Sequence, residues 1–344
     1  MKVGAVLIFL LLLQFAQAQQ YNFSGVDKTL SESSKDLGKN VAALIYKDGK
    51  VIYQKEMGEM TTTTIEPIAS CSKWLTAALV MTFVDEGKIS LDDKVSKYLP
   101  VFEKNGKGYI TIRHCLAHLT GIHSEKNVLL ENLKLRRYSS LEDEINDFAS
   151  KSEIDNNPGV EFRYSTVGLN IAARVLEVIS KRSFEQLMQQ RIFRPLNMKN
   201  STFNTDDNRA VNPSGGAVST AKEYMNFLVM ILNKGTFNGK RILSENAIAE
   251  MQRAQTKLDI IKYAPKVATG YNYGLGEWIL DTTANGTATV VSSPGLFGTW
   301  PVVDNCRGYA CIFFVKSLLS EQKKEVYVAL KNEIDKVLPA PIPQ

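Results

Sequence analysis

Four cysteines in 344 residues are too few for a disulfide scaffold, and none of their spacings is the C-x-x-C of a zinc site. Histidine is scarcer still, with three. A dominant charge is also missing. The 41 basic residues exceed the 36 acidic ones by only five, scattered along the chain, which argues against a nucleic-acid partner. Beyond the N-terminus there is no run of about 18 apolar residues, so no membrane anchor is expected. Repeats and low-complexity segments are absent as well. What remains is 44% apolar and 22% charged, the balance of a globular chain long enough for a sizeable core.

Residues 1–18 read as a signal peptide. Lys2 supplies the positive start, Ala5 to Leu13 the apolar run, and Ala16-Gln17-Ala18 the small residues around a cut after Ala18. Export to a periplasm or to the medium is therefore expected.

Val41 to Gln54 reads as a β-hairpin, with Asp48-Gly49 supplying the positive φ angles of a tight turn. Ser70 to Val84 is apolar on nearly every side, the pattern of a helix buried all round. Three further helices are expected over Thr111–Leu119, Thr166–Ser180 and Thr220–Leu232, each entered by a threonine that can cap it. Strand signals return over Gly274–Leu280 and Ala288–Val291, about a second tight-turn pair, Asn285-Gly286. Thr299–Val303 and Tyr309–Val315 follow, and a helix over Glu321–Val337 closes the chain. Strands at both ends around a helical middle predict one antiparallel sheet built from both ends of the chain.

Ser70-Cys71-Ser72-Lys73 places a serine and a lysine three residues apart at the mouth of the buried helix. Positions i and i+3 share a helical face, so the two side chains meet without help from elsewhere. Serine needs a base to become a nucleophile, and a lysine in an apolar setting can lose its proton and serve. The alternative is a partly buried lysine paired with a carboxylate. A second S-x-x-K, Ser320 to Lys323, opens an amphipathic helix and reads as a cap.

Longer blocks surround the first motif. Pro67 to Lys73, Gly87 to Asp93, Tyr98-Leu99-Pro100, Thr111 to Gly121, Phe162 to Ser165 and Gly215 to Ala221 stand in one order over roughly residues 35–320. Together they resemble the serine β-lactamase-like family, in the branch of class C β-lactamases, D-alanyl-D-alanine peptidases and related esterases. The resemblance implies an α/β fold of the α+β type: an antiparallel sheet flanked by helices, plus a mostly helical part. The boundaries expected are 19–69 with 251–344 for the first part and 70–250 for the second, the site lying at their junction.

The resemblance also implies roles. Ser70 would be the nucleophile, Lys73 and Tyr164 its proton carriers, and Thr166 a substrate contact where many members carry Asn. Ser293-Pro294-Gly295 stands where the family has Lys-Thr-Gly or His-x-Gly, so the cation there is missing; a proline in that strand suggests an edge or a bulge. Gly295 would leave room for substrate, and backbone N–H groups of Ser70 and Leu296 would hold an oxyanion. Neither a cofactor nor a metal is implied. The expected partner is a small ester, amide or peptide, with an uncharged ester favoured by the missing cation. A β-lactamase or peptidase, and a non-catalytic binder of peptidoglycan fragments, are the alternatives. Oligomeric state is not legible.

His114 and His118, four apart on one expected helical face, lack the intervening Glu of H-E-x-x-H, and His118 matches a structural histidine of the family. Cys306 and Cys311 flank a short turn and either pair or remain free thiols. Cys71 is expected to be helix packing, and Lys134 to Arg137 a solvated face.

Overall fold

The computed structural model describes residues 21–123, 138–204, 209–317 and 323–340. The leader at 1–18, the basic run 134–137 and Ser320 fall outside them.

Seven strands form one antiparallel sheet from both ends of the chain. They are β1 (Val41–Lys47), β2 (Lys50–Met57), β3 (Asn272–Tyr273), β4 (Trp278–Thr282), β5 (Ala288–Ser292), β6 (Gly298–Asp304) and β7 (Tyr309–Lys316). Their order is β2-β1-β7-β6-β5-β4-β3. The two halves of the chain join where β1 pairs with β7, Val41 opposite Val315 through Lys47 opposite Tyr309. Asp48 and Gly49 take φ of 50° and 83°, the two positive values the β1–β2 turn requires. The expected strand over Gly274–Leu280 is instead two short ones, because the chain bends at Gly276, φ 80°. At Asn285-Gly286 only the glycine has positive φ, and the loop is wider, closed by Thr283 N–H donating to Thr287 O at 2.8 Å.

Seven helices frame the sheet and the site: α1 (Ser24–Glu32), α2 (Ser72–Asp85), α3 (Ile112–Leu116), α4 (Leu141–Lys151), α5 (Val167–Ser180), α6 (Ala221–Leu232) and α7 (Lys324–Val337). Strand β7 is buried at every position from Tyr309 to Val315, so both faces of the sheet are covered. Helix α7 covers one face, its Tyr327 ring 5.1 Å from that of Trp300 on β6, and α1 packs beside it. Helix α6 lies against β1, β6 and β7. Helix α2 is buried from Ser72 to Phe83 and packs on α5, with Trp74 edge-on to Phe227 of α6 at 5.6 Å. Each large apolar side chain so buried contributes on the order of 1.5–3 kcal/mol.

Two of the three threonine caps form. Thr111 accepts from His114 N–H and Thr220 from Glu223 N–H. Thr166 makes no such bond, because it has helical dihedrals (φ −89°, ψ −21°) rather than the extended ones a cap needs. Helix α3 also stops early. His118 takes φ 56°, which turns the chain out of the helix and separates it from the face carrying His114. Cys306 and Cys311 are both free thiols: Cys311 is buried inside β7 while Cys306 is exposed in the turn before it.

Candidate active site

Ser70 sits in a single 3-10 turn, Ala69–Cys71, that feeds directly into α2. The residue before it, Ala69, has φ 44°, a left-handed conformation that costs a non-glycine residue about 1–3 kcal/mol. Three contacts hold this turn. Ile68 N–H donates to Ala217 O at 3.0 Å. Ala217 N–H donates to the Ser72 hydroxyl at 3.1 Å. Tyr224 Oη donates to Cys71 O at 2.9 Å.

Lys73 follows one helical turn later, 1% exposed. Its Nζ donates to the Ser214 carbonyl at 2.8 Å and to Ser70 Oγ at 3.4 Å. The second bond is long, near the outer limit for a hydrogen bond. The same ammonium lies 4.7 Å from the centre of the Tyr164 ring, so serine, lysine and tyrosine converge as the motifs anticipate.

Tyr164 belongs to an aromatic cluster with His118, Phe162, Tyr273 and Trp278, its ring 4.6 Å from the His118 imidazole. His118 Nδ1 accepts from Ser165 N–H at 3.3 Å, which leaves the proton on Nε2 to donate to Tyr273 Oη at 3.2 Å. Burial, with the Lys73 cation adding to it, holds this imidazole well below its usual pKa. His118 is thus a neutral strut under the tyrosine. His114 instead completes the α3 cap, and His123 contacts Asp155, so the three histidines serve three separate places.

The turn between β5 and β6 forms the other wall. Strand β5 ends at Ser292, so Pro294 lies in the connection and not in a strand, and β5 is an inner strand, not an edge. Gly295 approaches the segment before Ser70 so closely that a Cβ would stand 2.3 Å from Ile68 O; only glycine fits. Its own N–H donates to Thr299 O at 2.8 Å. Leu296, next in the turn, is 38% exposed. Ser293 departs from its expected place on a substrate wall. It is 1% exposed, and its hydroxyl is shared between the carbonyls of Gly276, at 3.2 Å, and Ser70, at 3.3 Å. It ties the turn to the backbone of Ser70. Thr166 is buried where Tyr164 leads into α5.

Sequence patterns gave no sign of Ser214, whose contribution is a backbone carbonyl, nor of Glu277. Glu277 is fully buried behind α2 with the Trp74 indole N–H beside its carboxyl, but the two do not form a hydrogen bond of regular geometry. Burial pushes this carboxyl well above the usual range against the pull of the Trp74 N–H, which favours the neutral acid. A surface groove of about 400 Å3 lies at the opposite end of α2, by Thr82, Glu86 and Arg191, and holds none of these groups.

The family model described as Beta-lactamase matches residues 32–333. The chain belongs to the Beta-lactamase family. Members of this family are serine hydrolases. A Bacteroides dorei structure named "putative beta-lactamase" is 29% identical to this member, with a TM-score of 0.80 over 92% of this chain and 99% of that one. Protein flp of Staphylococcus aureus (strain MW2) is 31% identical over 171 residues, which is 46% of this chain and 34% of that protein. The chain thus spans about a third of that relative's length. The fold, at 18% identity and a TM-score of 0.74, is shared with a family VIII carboxylesterase over 92% of this chain and 97% of that one. Among the described residues no helix is long and apolar enough to cross a membrane.

Proposed function

We propose that this Beta-lactamase family member hydrolyses small neutral carboxylic esters through an acyl-enzyme on Ser70. The observation that carries the reading is the buried Lys73 ammonium held between the Ser70 hydroxyl and a backbone carbonyl. Ser70 Oγ attacks the ester carbonyl while its proton passes to the Lys73–Tyr164 pair, which in the reactive state has already lost one proton and so offers a lysine amine or a tyrosine phenolate as the acceptor. Backbone N–H groups of Ser70 and Leu296 receive the oxyanion. Collapse expels the alcohol, which takes up the proton. Water then attacks the acyl-enzyme, giving its proton to the same pair and returning one to Ser70 as the acid leaves.

The ester preference rests on the turn wall. Ser293 takes the cation's place in the chain only: its side chain is buried on the carbonyls of Ser70 and Gly276, and no residue of the turn from 292 to 297 carries a charge to meet an anionic substrate. A carboxylate entering there gives up water without a charged partner, whereas a neutral ester does not. The carboxylesterase that shares the fold points the same way. The name of the Bacteroides relative favours a second reading, hydrolysis of β-lactams. The composition of residues 1–18 supports export.

The test is a panel of p-nitrophenyl acetate, nitrocefin and D-alanyl peptides, together with labelling by a fluorophosphonate probe. Rapid labelling lost in Ser70→Ala, with kcat/KM highest for the acetate, is expected. Preference for nitrocefin overturns the ester assignment. A chain that neither labels nor turns over any of the three is a binding protein instead.

A further inference from the structure

The carbonyl that receives Lys73 is held from several directions. Ser214 N–H donates to Asn170 Oδ1 at 3.0 Å, and Asn170 Nδ2 donates to Glu144 Oε1 at 2.6 Å. Asn170 on α5 and Glu144 on α4 are as buried as the lysine. Thr76 of α2 donates its hydroxyl to Pro213 O at 2.6 Å. Gly215 and Gly216 N–H both close on Asn212 O, at 3.1 and 2.8 Å. Helices α2 and α5 therefore reach one short loop directly, and α4 backs it through Asn170.

We propose that Asn170 and Glu144 are positioning residues for Lys73, a bracket that pins residue 214 so that its carbonyl stays on the ammonium. The inference deepens the reading of Lys73 as a proton carrier and rests on it. An amide has one accepting end and one donating end. With the oxygen of Asn170 on Ser214 N–H, its nitrogen must face Glu144, and that carboxyl oxygen must accept. A carboxylate acceptor makes the bond short and strong, and it keeps the amide from turning over. The N–H and C=O of Ser214 belong to adjoining peptide groups, so the bracket works by fixing the residue and hence the direction of its carbonyl.

Direction matters because a carbonyl 2.8 Å from Nζ favours the ammonium over the amine. It also keeps Nζ within reach of Ser70 Oγ. Further groups facing Lys73 include Ser70 and Cys71 in the turn that leads into its helix, the Tyr164 ring from the lead into α5, and the neutral His118 imidazole beyond α3. The Glu277 carboxyl, at the start of β4, follows Gly276, which packs on the Lys73 carbonyl.

The experiment uses Asn170→Leu, which removes the bracket, and Glu144→Gln, which can still accept from Asn170 but carries no charge. Two readouts are taken. One is the pH profile of kcat/KM for p-nitrophenyl acetate. The other is the 15N titration of the Lys73 Nζ in the inactive Ser70→Ala background, assigned with Lys73→Arg. Asn170→Leu is expected to lower the Lys73 pKa by about one unit, and Glu144→Gln by less. The acid limb of the profile should move with it, and kcat should fall about tenfold or more with KM little changed. Folded variants whose Nζ titration and acid limb stay in place overturn the proposal, whatever their loss of melting temperature. Should Asn170→Leu not fold, Glu144→Gln decides on the same two readouts. A parent chain without esterase activity or probe labelling sinks the hydrolase reading, while the Nζ titration in Ser70→Ala still judges the bracket.

Discussion

The two walls beside Ser70 both lead to a buried glutamate, and the two glutamates differ in what they touch. On the loop wall, Glu144 accepts a 2.6 Å bond from Asn170, and the chain of contacts ends at the Lys73 ammonium. On the turn wall, Ser293 bonds Gly276 O, and the next residue, Glu277, has no hydrogen bond of regular geometry, only the Trp74 N–H beside it. Equal burial thus comes with different partners. A buried carboxyl with a donor can remain an acceptor, while one without a donor is driven toward its neutral form. Positive charge in this site sits beside Ser70, on Lys73, and the turn from 292 to 297 carries none.

The sharpest contrast lies between the two S-x-x-K motifs. Ser70→Ala should abolish turnover with little change in melting temperature, and Ser320→Ala should leave kcat nearly unchanged. Similar losses in both would remove the assignment of the nucleophile.

Tyr164→Phe tests the aromatic side of the loop wall. It keeps the ring packed at a tilt against His118 and Trp278 and removes only the hydroxyl. If that hydroxyl carries a proton, kcat falls by roughly 10²–10⁴-fold in a folded protein. A variant retaining most of its kcat makes Tyr164 a packing residue and leaves Lys73 to act alone.

On the turn wall the expected effect is smaller. Ser293→Ala removes a hydroxyl shared by two buried carbonyls and should cost about 1–3 kcal/mol of stability, read from urea unfolding. A modest fall in kcat should accompany it, since Ser70 loses a backbone tether. Unchanged stability would mean that the turn is held by Gly295 and its packing on Ile68 alone.

The remaining effect is on stability alone, as a slope with pH. The folded pKa of Glu277 lies above its unfolded value, so its contribution is complete below about pH 4.5 and is lost as pH rises toward the folded value. Glu277→Gln removes that loss. The variant should gain on the parent between about pH 5 and pH 8, by at most about 1.4 kcal/mol per pH unit. Parallel stability curves would show that the carboxyl has found a donor. His118 acts in the opposite sense on the acid side: its folded pKa is depressed, so stability falls as pH drops through about 6.5.

Much of the site was legible because its key spacing is local. Ser70 and Lys73 share a face by helical periodicity alone, and the β1–β2 turn follows from Asp48-Gly49. The strands near the C-terminus were legible by pattern, but their bend at Gly276 was not, since it answers to Ala77 and Lys73 O packed against that point. Thr166 carries the composition of a cap without the dihedrals of one. Cys306 and Cys311 are near in sequence, yet β7 draws one inward and the turn leaves the other in water.

The nucleophile motif, the two-ended sheet and the family are all written in the chain itself, as short-range spacing or as blocks that keep their order. What surrounds the lysine comes from packing alone. Its carbonyl partner lies 141 residues away, that residue's support from Asn170 another 44, and the carboxylate behind it 26 more. No local pattern encodes such contacts, because a backbone carbonyl is the same on every residue and gains its role only from where packing places it.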